Sequence, residues 1–343
     1  HTYLDGFPTS SRGLSPSPSR HGLTDPGPVR GLYPQVAVDS EDRIHIAYYD
    51  SDARSLRYLR REANGQWIQP IMVDQGGDVG RYAQLLTDEF GRPHIVYSVL
   101  SAPSGRDEIR YALGTNAAQT TQHFQIVTIS SDLAESAPPP VGVLPKSHGI
   151  RPCIAFDGDD LVVAFMNGKE GWLYLGKGNI QGFAIHRLSG RFVDDNHLDP
   201  GGRYDDFETH RIGEHCAILS RSGLIELAFT DERTWALLSY RGPIEGGGII
   251  QIIDAGQTGS RTRIGGSAAA DRDHMDRMVV VYQDSTNNDL LLNIFTATGW
   301  LTSPLLVDST GAVGYANSLV MENSKATIGS VRFKTAAGGR EKS

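Results

Sequence analysis

The feature that most limits how this chain can fold is a hairpin unit that recurs along its length. In the first copy, Tyr33-Pro-Gln-Val-Ala-Val-Asp39 is followed by Ser40-Glu41-Asp42 and then by Arg43-Ile-His-Ile-Ala-Tyr-Tyr-Asp50. Val36 and Val38 alternate with Ala37, the polar triplet turns the chain, and Ile44, Ile46 and Tyr48-Tyr49 resume a β-rich run. That pattern predicts two strands and a tight turn. A third strand is expected over 56–59 and a fourth over 67–74. Four antiparallel strands in about 40 to 50 residues is the size of one propeller blade.

The copies follow in order. Arg81-Tyr-Ala-Gln-Leu-Leu-Thr-Asp88 and Arg92-Pro-His-Ile-Val-Tyr97 place Tyr82, Gln84, Asp88 and His94 opposite Tyr33, Gln35, Asp39 and His45. Further copies span 151–188, 216–254 and 264–308, and a sixth begins over 315–331 with too few residues left for four strands. A four-stranded sheet has two faces, and only stacking on both sides covers them. The expected fold is therefore an all-β β-propeller of six four-stranded blades, the last closed by a strand from the other terminus, with five blades as the alternative. Residues 1–30, rich in Gly, Pro and Ser, read as an irregular arm, 31–333 as the propeller and 334–343 as a tail.

At 343 residues the length allows one domain or two, and the repeat favours one. No apolar run approaches the roughly 20 residues of a membrane span. A net charge of −8, without a basic stripe, argues against nucleic acid as a partner. The chain starts at His1, not Met, which fits removal of a leader and a secreted, extracellular, cell-surface or periplasmic protein. Cys153 and Cys216 are too few for a disulfide scaffold or a cysteine-rich zinc site. Both fall in first strands of neighbouring blades, at one position of the repeat, and such strands splay apart. Two buried thiols are therefore expected in preference to a bridge, which needs Cα atoms within about 7 Å.

The unit at 33–50 and its copies resemble the repeats of bacterial secreted or surface β-propellers, loosely akin to the sialidase-like group. The resemblance covers most of the chain from Tyr33 to Phe333 and concerns the fold, since such rings serve as lectins, lyases, glycosidases and scaffolds. The segment Phe229-Thr-Asp-Glu-Arg-Thr-Trp235 approaches a sialidase Asp-box but lacks its glycine.

In a propeller the leading residues of each first strand ring one mouth of the central channel. That register gives Tyr33, Gln35, Tyr82, Gln84, Arg151, His215, Arg263, Tyr315 and Asn317 as candidate ligand-binding residues, with Glu214 beside them. Aromatic, amide and charged groups of this kind hold a sugar by stacking and hydrogen bonding. A purely structural role, satisfying buried hydrogen bonds, is the competing expectation. His45 and His94 read as hydrogen-bonded structural imidazoles, and Asp39, Asp88, Asp157 and Asp271 as carboxylates that cap the first hairpin.

The insertion over 189–210 is dense in ionisable groups. Asp194, Asp195, Asp199, Asp205 and Asp206 could supply an oxygen-rich calcium site, although their spacing fits no EF-hand, and a solvated acidic loop is the alternative. No other cofactor is expected. The leading functional expectation is a non-catalytic binding or scaffold module, recognising a carbohydrate or protein partner at one channel mouth, and able to serve within a larger surface assembly. The alternative is a polysaccharide-active enzyme. As a lyase it would use His210 or His215 as base, Tyr82 or Tyr204 as acid and Arg151 to neutralise a uronate. As a glycoside hydrolase it would use two of Asp205, Asp206, Glu208 and Glu214. Packing of the insertion away from the axis would favour the binding module.

Overall fold

The computed structural model describes residues 29–100, 102–104, 106–115, 120–132, 148–193, 207–256, 263–322 and 325–333. Most of the expected arm, the tail and the Pro-rich connector at 137–140 lie outside the described residues, so the strand proposed to close the last sheet is not assigned.

Among the described residues the strands form six sheets. The first is Leu32–Val38, Ile44–Asp50, Ser55–Arg61 and Ile71–Asp74, and the second is Asp78–Thr87, Pro93–Leu100, Glu108–Gly114 and Phe124–Ser131. The third is His148–Asp157, Asp160–Asn167, Trp172–Asn179 and Gly182–Arg187. The fourth is Ile212–Arg221, Leu224–Asp231, Leu237–Gly242 and Gly248–Asp254, and the fifth is Ile264–Arg272, Met278–Asp284 and Asp289–Thr296. The fifth sheet's outer strand is broken into Gly299–Trp300 and Leu305–Asp308. The sixth has two strands, Ala312–Glu322 and Lys325–Phe333. Five full antiparallel sheets and a short sixth match the count expected from the repeat.

The second strands are the most apolar. Asp160–Asn167 and Met278–Asp284 are buried almost end to end, because neighbours cover them on both faces. The chain forms two compact units, one holding residues 1–135, 147–149 and 180–182 and the other the remainder. Within the first unit, Leu56, Tyr58, Val79, Ala83, Ile95 and Tyr97 join the two sheets in one core. Each such large side chain contributes roughly 1.5–3 kcal/mol when fully buried. Within the second, successive cores join the third sheet to the fourth, the fourth to the fifth and the fifth to the sixth, around Trp172 and Leu227, Leu237 and Tyr282, and Val281 and Leu319.

The hairpin carboxylates behave as expected in the first two sheets. Asp39 accepts from the backbone N–H groups of Glu41 and Arg43 and holds the Arg43 guanidinium and His45, whose other nitrogen meets the Tyr58 hydroxyl at 2.8 Å. Asp88, Arg92, His94 and Tyr111 repeat the arrangement. Burial lowers the pKa of both histidines, outweighing the neighbouring carboxylate, so each is a neutral structural imidazole. Asp157 instead accepts from Gly223 N–H and Lys177. In the fifth sheet the cap is Asp273, bound to the N–H groups of Met275 and Arg277, whereas Asp271 accepts from Met321 N–H. The assignment of Asp271 as the cap is thus off by two residues, because Asp273 is the residue that stands eight after the strand's opening Gly265, as Asp39 does after Gly31 and Asp88 after Gly80.

The cysteines also correct the sequence expectation. Cys153 and Cys216 form a disulfide, with Cα atoms 5.8 Å apart. Each first strand has a positive-φ glycine near its start, and Cys153 stands four residues after Gly149 while Cys216 stands three after Gly213. They are therefore not at one repeat position, and the offset lets two adjacent strands present their sulfurs to each other.

The described part of the insertion runs outward. Gly190–Phe192 adds a parallel strand beside Gly248–Asp254, the outer strand of the fourth sheet. After the undescribed 194–206, Phe207 packs edge-on against Trp172, with ring centroids 5.4 Å apart.

Candidate functional site

Every first strand opens with the same backbone device. Gly31, Gly80, Gly149, Gly213, Gly265 and Gly314 all have positive φ, and two residues later stand Tyr33, Tyr82, Arg151, His215, Ser267 and Ala316. Five of these six, all but His215, are themselves at φ of 46–52°, a region that costs a non-glycine residue about 1–2 kcal/mol. Pairing to the second strand skips one residue here, as between Leu32 and Gln35 or between Arg81 and Gln84. The device is a β-bulge that lifts one side chain out of the pleat. It corrects three sequence assignments. Ser267, not Arg263, holds the equivalent place in the fifth sheet, and Ala316, not Tyr315 or Asn317, holds it in the sixth.

In the first unit the two bulge residues meet: the Tyr33 and Tyr82 rings lie 4.6 Å apart. Burial and then Tyr82 raise the Tyr33 pKa. Beside them the Tyr49 hydroxyl donates to Asp78 at 2.5 Å, and Arg81 pairs with the same carboxylate at 2.8 Å. Burial and Asp78 push Tyr49 up to about 12. Gln35 and Gln84 each donate to the carbonyl of the preceding residue.

In the second unit the bulge residues Arg151 and His215 meet, with Arg151 Nη1 at the edge of the imidazole, 2.9 Å from Nδ1 and 2.5 Å from Nε2. A guanidinium can only donate, so the imidazole must present an unprotonated nitrogen to it. The disulfide fixes this pair, since Cys153 and Cys216 follow Arg151 and His215 by two residues and one. Next to the pair opens a cleft of about 230 Å³, lined by Glu214, His215, Asp231, Glu232, Trp235, Arg263 and Ser285 among others. In an antiparallel sheet the start of the first strand and the turn from second to third lie at one end. That geometry collects Glu214, His215 and Gly266 from first strands with Glu232, Trp235 and Ser285 from the turns. Ser267 and Ala316 are the smallest of the bulge residues.

The turn bearing Glu232 and Trp235 is held from below. Asp231, fully buried, accepts from Arg233 N–H and from the Thr234 hydroxyl, and His210 Nδ1 lies 2.7 Å from it. His210 is itself buried, so the sequence assignment of His210 as a base fails: it supports the turn instead. Arg211 pairs with Glu232 at 3.6 Å. Glu208 pairs with Arg187 at 3.1 Å, outside the cleft lining. Tyr315 donates to Asn288, and the Asn317 amide is buried without a hydrogen-bond partner among the described residues. Asp194, Asp195, Asp199, Tyr204, Asp205 and Asp206 lie outside the described residues. Among the described residues no cluster of metal-ligating side chains occurs.

No family model and no curated protein matches this sequence. Solved structures do match it. An α-L-arabinofuranosidase from Fusarium graminearum, solved with an iminosugar inhibitor, superposes with a TM-score of 0.55 at 11% identity, over 90% of each chain. The fold is a β-propeller. An α-L-arabinanase from Penicillium chrysogenum, solved with arabinobiose, gives 0.54 at 12% identity, over 88% of this chain and 93% of that one. An ulvan lyase of polysaccharide lyase family 25 gives 0.51 at 10% identity, over 86% and 77%. It has also been solved bound to a unit of glucuronic acid and 3-sulfated rhamnose. At such identities the likeness speaks for the propeller alone. The sialidase-like resemblance of the repeats rests on the sequence, and among the described residues no helix is long and apolar enough to cross a membrane.

Trp235 and Glu232 are not among the candidates that the sequence register supplies. The signal for them is Thr230-Asp231-Glu232-Arg233-Thr234-Trp235, a polar turn closed by an aromatic residue, which by itself reads only as an imperfect Asp-box.

Proposed function

We propose that this chain is a polysaccharide-active enzyme that cleaves its substrate at the cleft of the second unit. The observation that carries the reading is the convergence, in one cleft, of an imidazole held against Arg151, the carboxylates Glu214 and Glu232, and the half-exposed Trp235. His215 is the base once the Arg151 guanidinium turns from its ring to the substrate, Glu214 the partner carboxylate that handles the second proton, and Trp235 an apolar wall of the sugar subsite. The named structural neighbours that act on arabinose polymers or ulvan make the same choice among the uses of a propeller. The Cys153–Cys216 bridge supports a working place outside the reducing cytosol.

The second reading is a non-catalytic glycan-binding module, and the outward course of Gly190–Phe192 favours it, because that part of the insertion does not close over the cleft. Incubation with a panel of neutral and acidic polysaccharides separates the two. Release of reducing ends detects either kind of cleavage, and ultraviolet absorbance of an unsaturated product identifies elimination. Cleavage is expected, and His215→Ala should abolish it while leaving glycan binding in place. Binding with no cleavage across the panel would install the module instead, and cleavage unaffected by His215→Ala would remove the proposed base.

A further inference from the structure

Among the described residues most arginines are matched to carboxylates, as Arg43 is to Asp39, Arg110 to Asp74 and Glu108, Arg272 to Glu226 and Arg277 to Asp273. Arg263 differs. Its guanidinium carbon lies 4.1 Å above the Trp235 ring, both residues line the cleft, and among the described residues no carboxylate stands at ion-pair distance from it. The stack is anchored on both sides by backbone. Arg263 N–H donates to the Thr286 hydroxyl, Ser285 N–H donates to the Arg263 carbonyl, and Ile264 N–H donates to the Trp235 carbonyl. Trp235 is held at φ 60°, a conformation a bulky residue keeps only when its surroundings impose it.

A guanidinium lying face-on to an indole keeps its N–H edges for a third partner, and those edges match a carboxylate or a sulfate in bidentate fashion. Two of the three acids of the cleft are already engaged, Asp231 by His210 and Glu232 by Arg211. A net charge of −8 repels an acidic polymer from the surface at large, so a local cation is what would let one in.

We propose that Arg263, laid on Trp235, is the specificity determinant of the cleft and reads an anionic substituent, carboxylate or sulfate, on the sugar of an acidic polysaccharide. This rests on the reading of the cleft as the site of glycan cleavage. The test is affinity electrophoresis of the wild type, Arg263→Gln and Arg263→Lys in gels containing polygalacturonate, carrageenan or neutral arabinan, with thermal melting to confirm that each variant folds. Arg263→Gln should weaken binding to the acidic polymer about ten- to a hundredfold, the loss expected for a charge-assisted hydrogen bond, and leave the neutral polymer unaffected. Arg263→Lys should restore only part of it, because the ammonium lacks the fork. Retardation by polygalacturonate alone names the carboxylate as the group read, and by carrageenan alone the sulfate. The proposal is overturned if arabinan is bound more tightly than both acidic polymers, or if a folded Arg263→Gln binds them as the wild type does. If neutral glycans are cleaved and acidic ones are not, the enzyme reading survives and this inference falls by itself. If nothing is bound or cleaved, both fall.

Discussion

Removing the bridge by the double substitution Cys153→Ala and Cys216→Ala tests the second unit most directly. The disulfide closes a loop with a sequence separation of 63 residues, between two first strands joined through the rest of the third sheet and the insertion that follows it. In the chain-entropy account, a loop of that size withdraws enough freedom from the unfolded chain to stabilise the fold by about 4 kcal/mol. For a cooperative unit of this size such a loss lowers Tm by about 10 °C. Both alanines fit the space left by the sulfurs and the strands keep their ladders, so the midpoint should fall while the denaturant slope rises modestly, the unbridged unfolded chain exposing more surface. Urea unfolding with and without a reductant, alongside the double variant, measures the effect. The reduced wild type and the variant should coincide. Glycan cleavage should fall further than unfolding alone predicts, since the bridge also fixes Arg151 against His215. Two titratable thiols in the denatured, unreduced protein would refute the bridge, and a shift below about 1 kcal/mol would refute the claim that it constrains the unfolded chain.

Three further outcomes follow from the fold. Stability should decline as pH falls: His45 and His94 have pKa values below 6.5 in the folded state, so the unfolded chain takes up protons first once pH drops through that value. Asp39, where burial is outweighed by hydrogen bonds from His45 and Arg43 that hold the pKa at about 2, adds acid sensitivity below 3.8; urea midpoints measured from pH 8 down to pH 3 should fall monotonically, and a rise would contradict the assignment. Gly80→Ala should cost about 2 to 4 kcal/mol, because φ is 104° and the new Cβ would stand 2.7 Å from the Leu56 Cα, a backbone atom that cannot swing aside; an unchanged melting curve would show the bulge to be adaptable. Asp273→Ala should destabilise the fifth sheet by about 1–3 kcal/mol and more than Asp271→Ala does, since Asp273 takes two backbone bonds and the Arg277 pair; equal losses would undo the corrected register.

The propeller was legible because alternation and turn residues are local, and because Tyr33 to Asp50 and Tyr82 to Ser98 repeat the same strand-turn-strand spelling. Much less of the site was. Arg151, His215 and Glu214 were found by register, but Arg263, Tyr315, Asn317, Asp271 and both cysteines were misplaced, because apolar alternation alone does not fix where each first strand opens. The spelling that marks the bulge was in view: Gly-Leu-Tyr, Gly-Arg-Tyr, Gly-Ile-Arg, Gly-Glu-His, Gly-Gly-Ser and Gly-Tyr-Ala. His210 could not be read correctly at all, because what disqualifies it as a base is burial against Asp231, a residue 21 positions away. The proposal of an enzyme rests on a cleft whose residues come together from separate strands and turns only in the folded chain, which no single stretch of sequence spells out.

The raised residue at the head of each first strand has a consequence for how such a molecule can change. The glycine two places earlier and the raised residue share the unusual backbone geometry, and the bulge carries that side chain out of the pleat of the sheet beneath it. Tyrosine, arginine, serine and alanine occupy the position here on nearly the same backbone, and histidine takes it on a different one. A mutation at these six addresses swaps a functional group while the β-ladders and cores remain as they were, so new chemistry can be tried one letter at a time on a scaffold that does not have to be rebuilt.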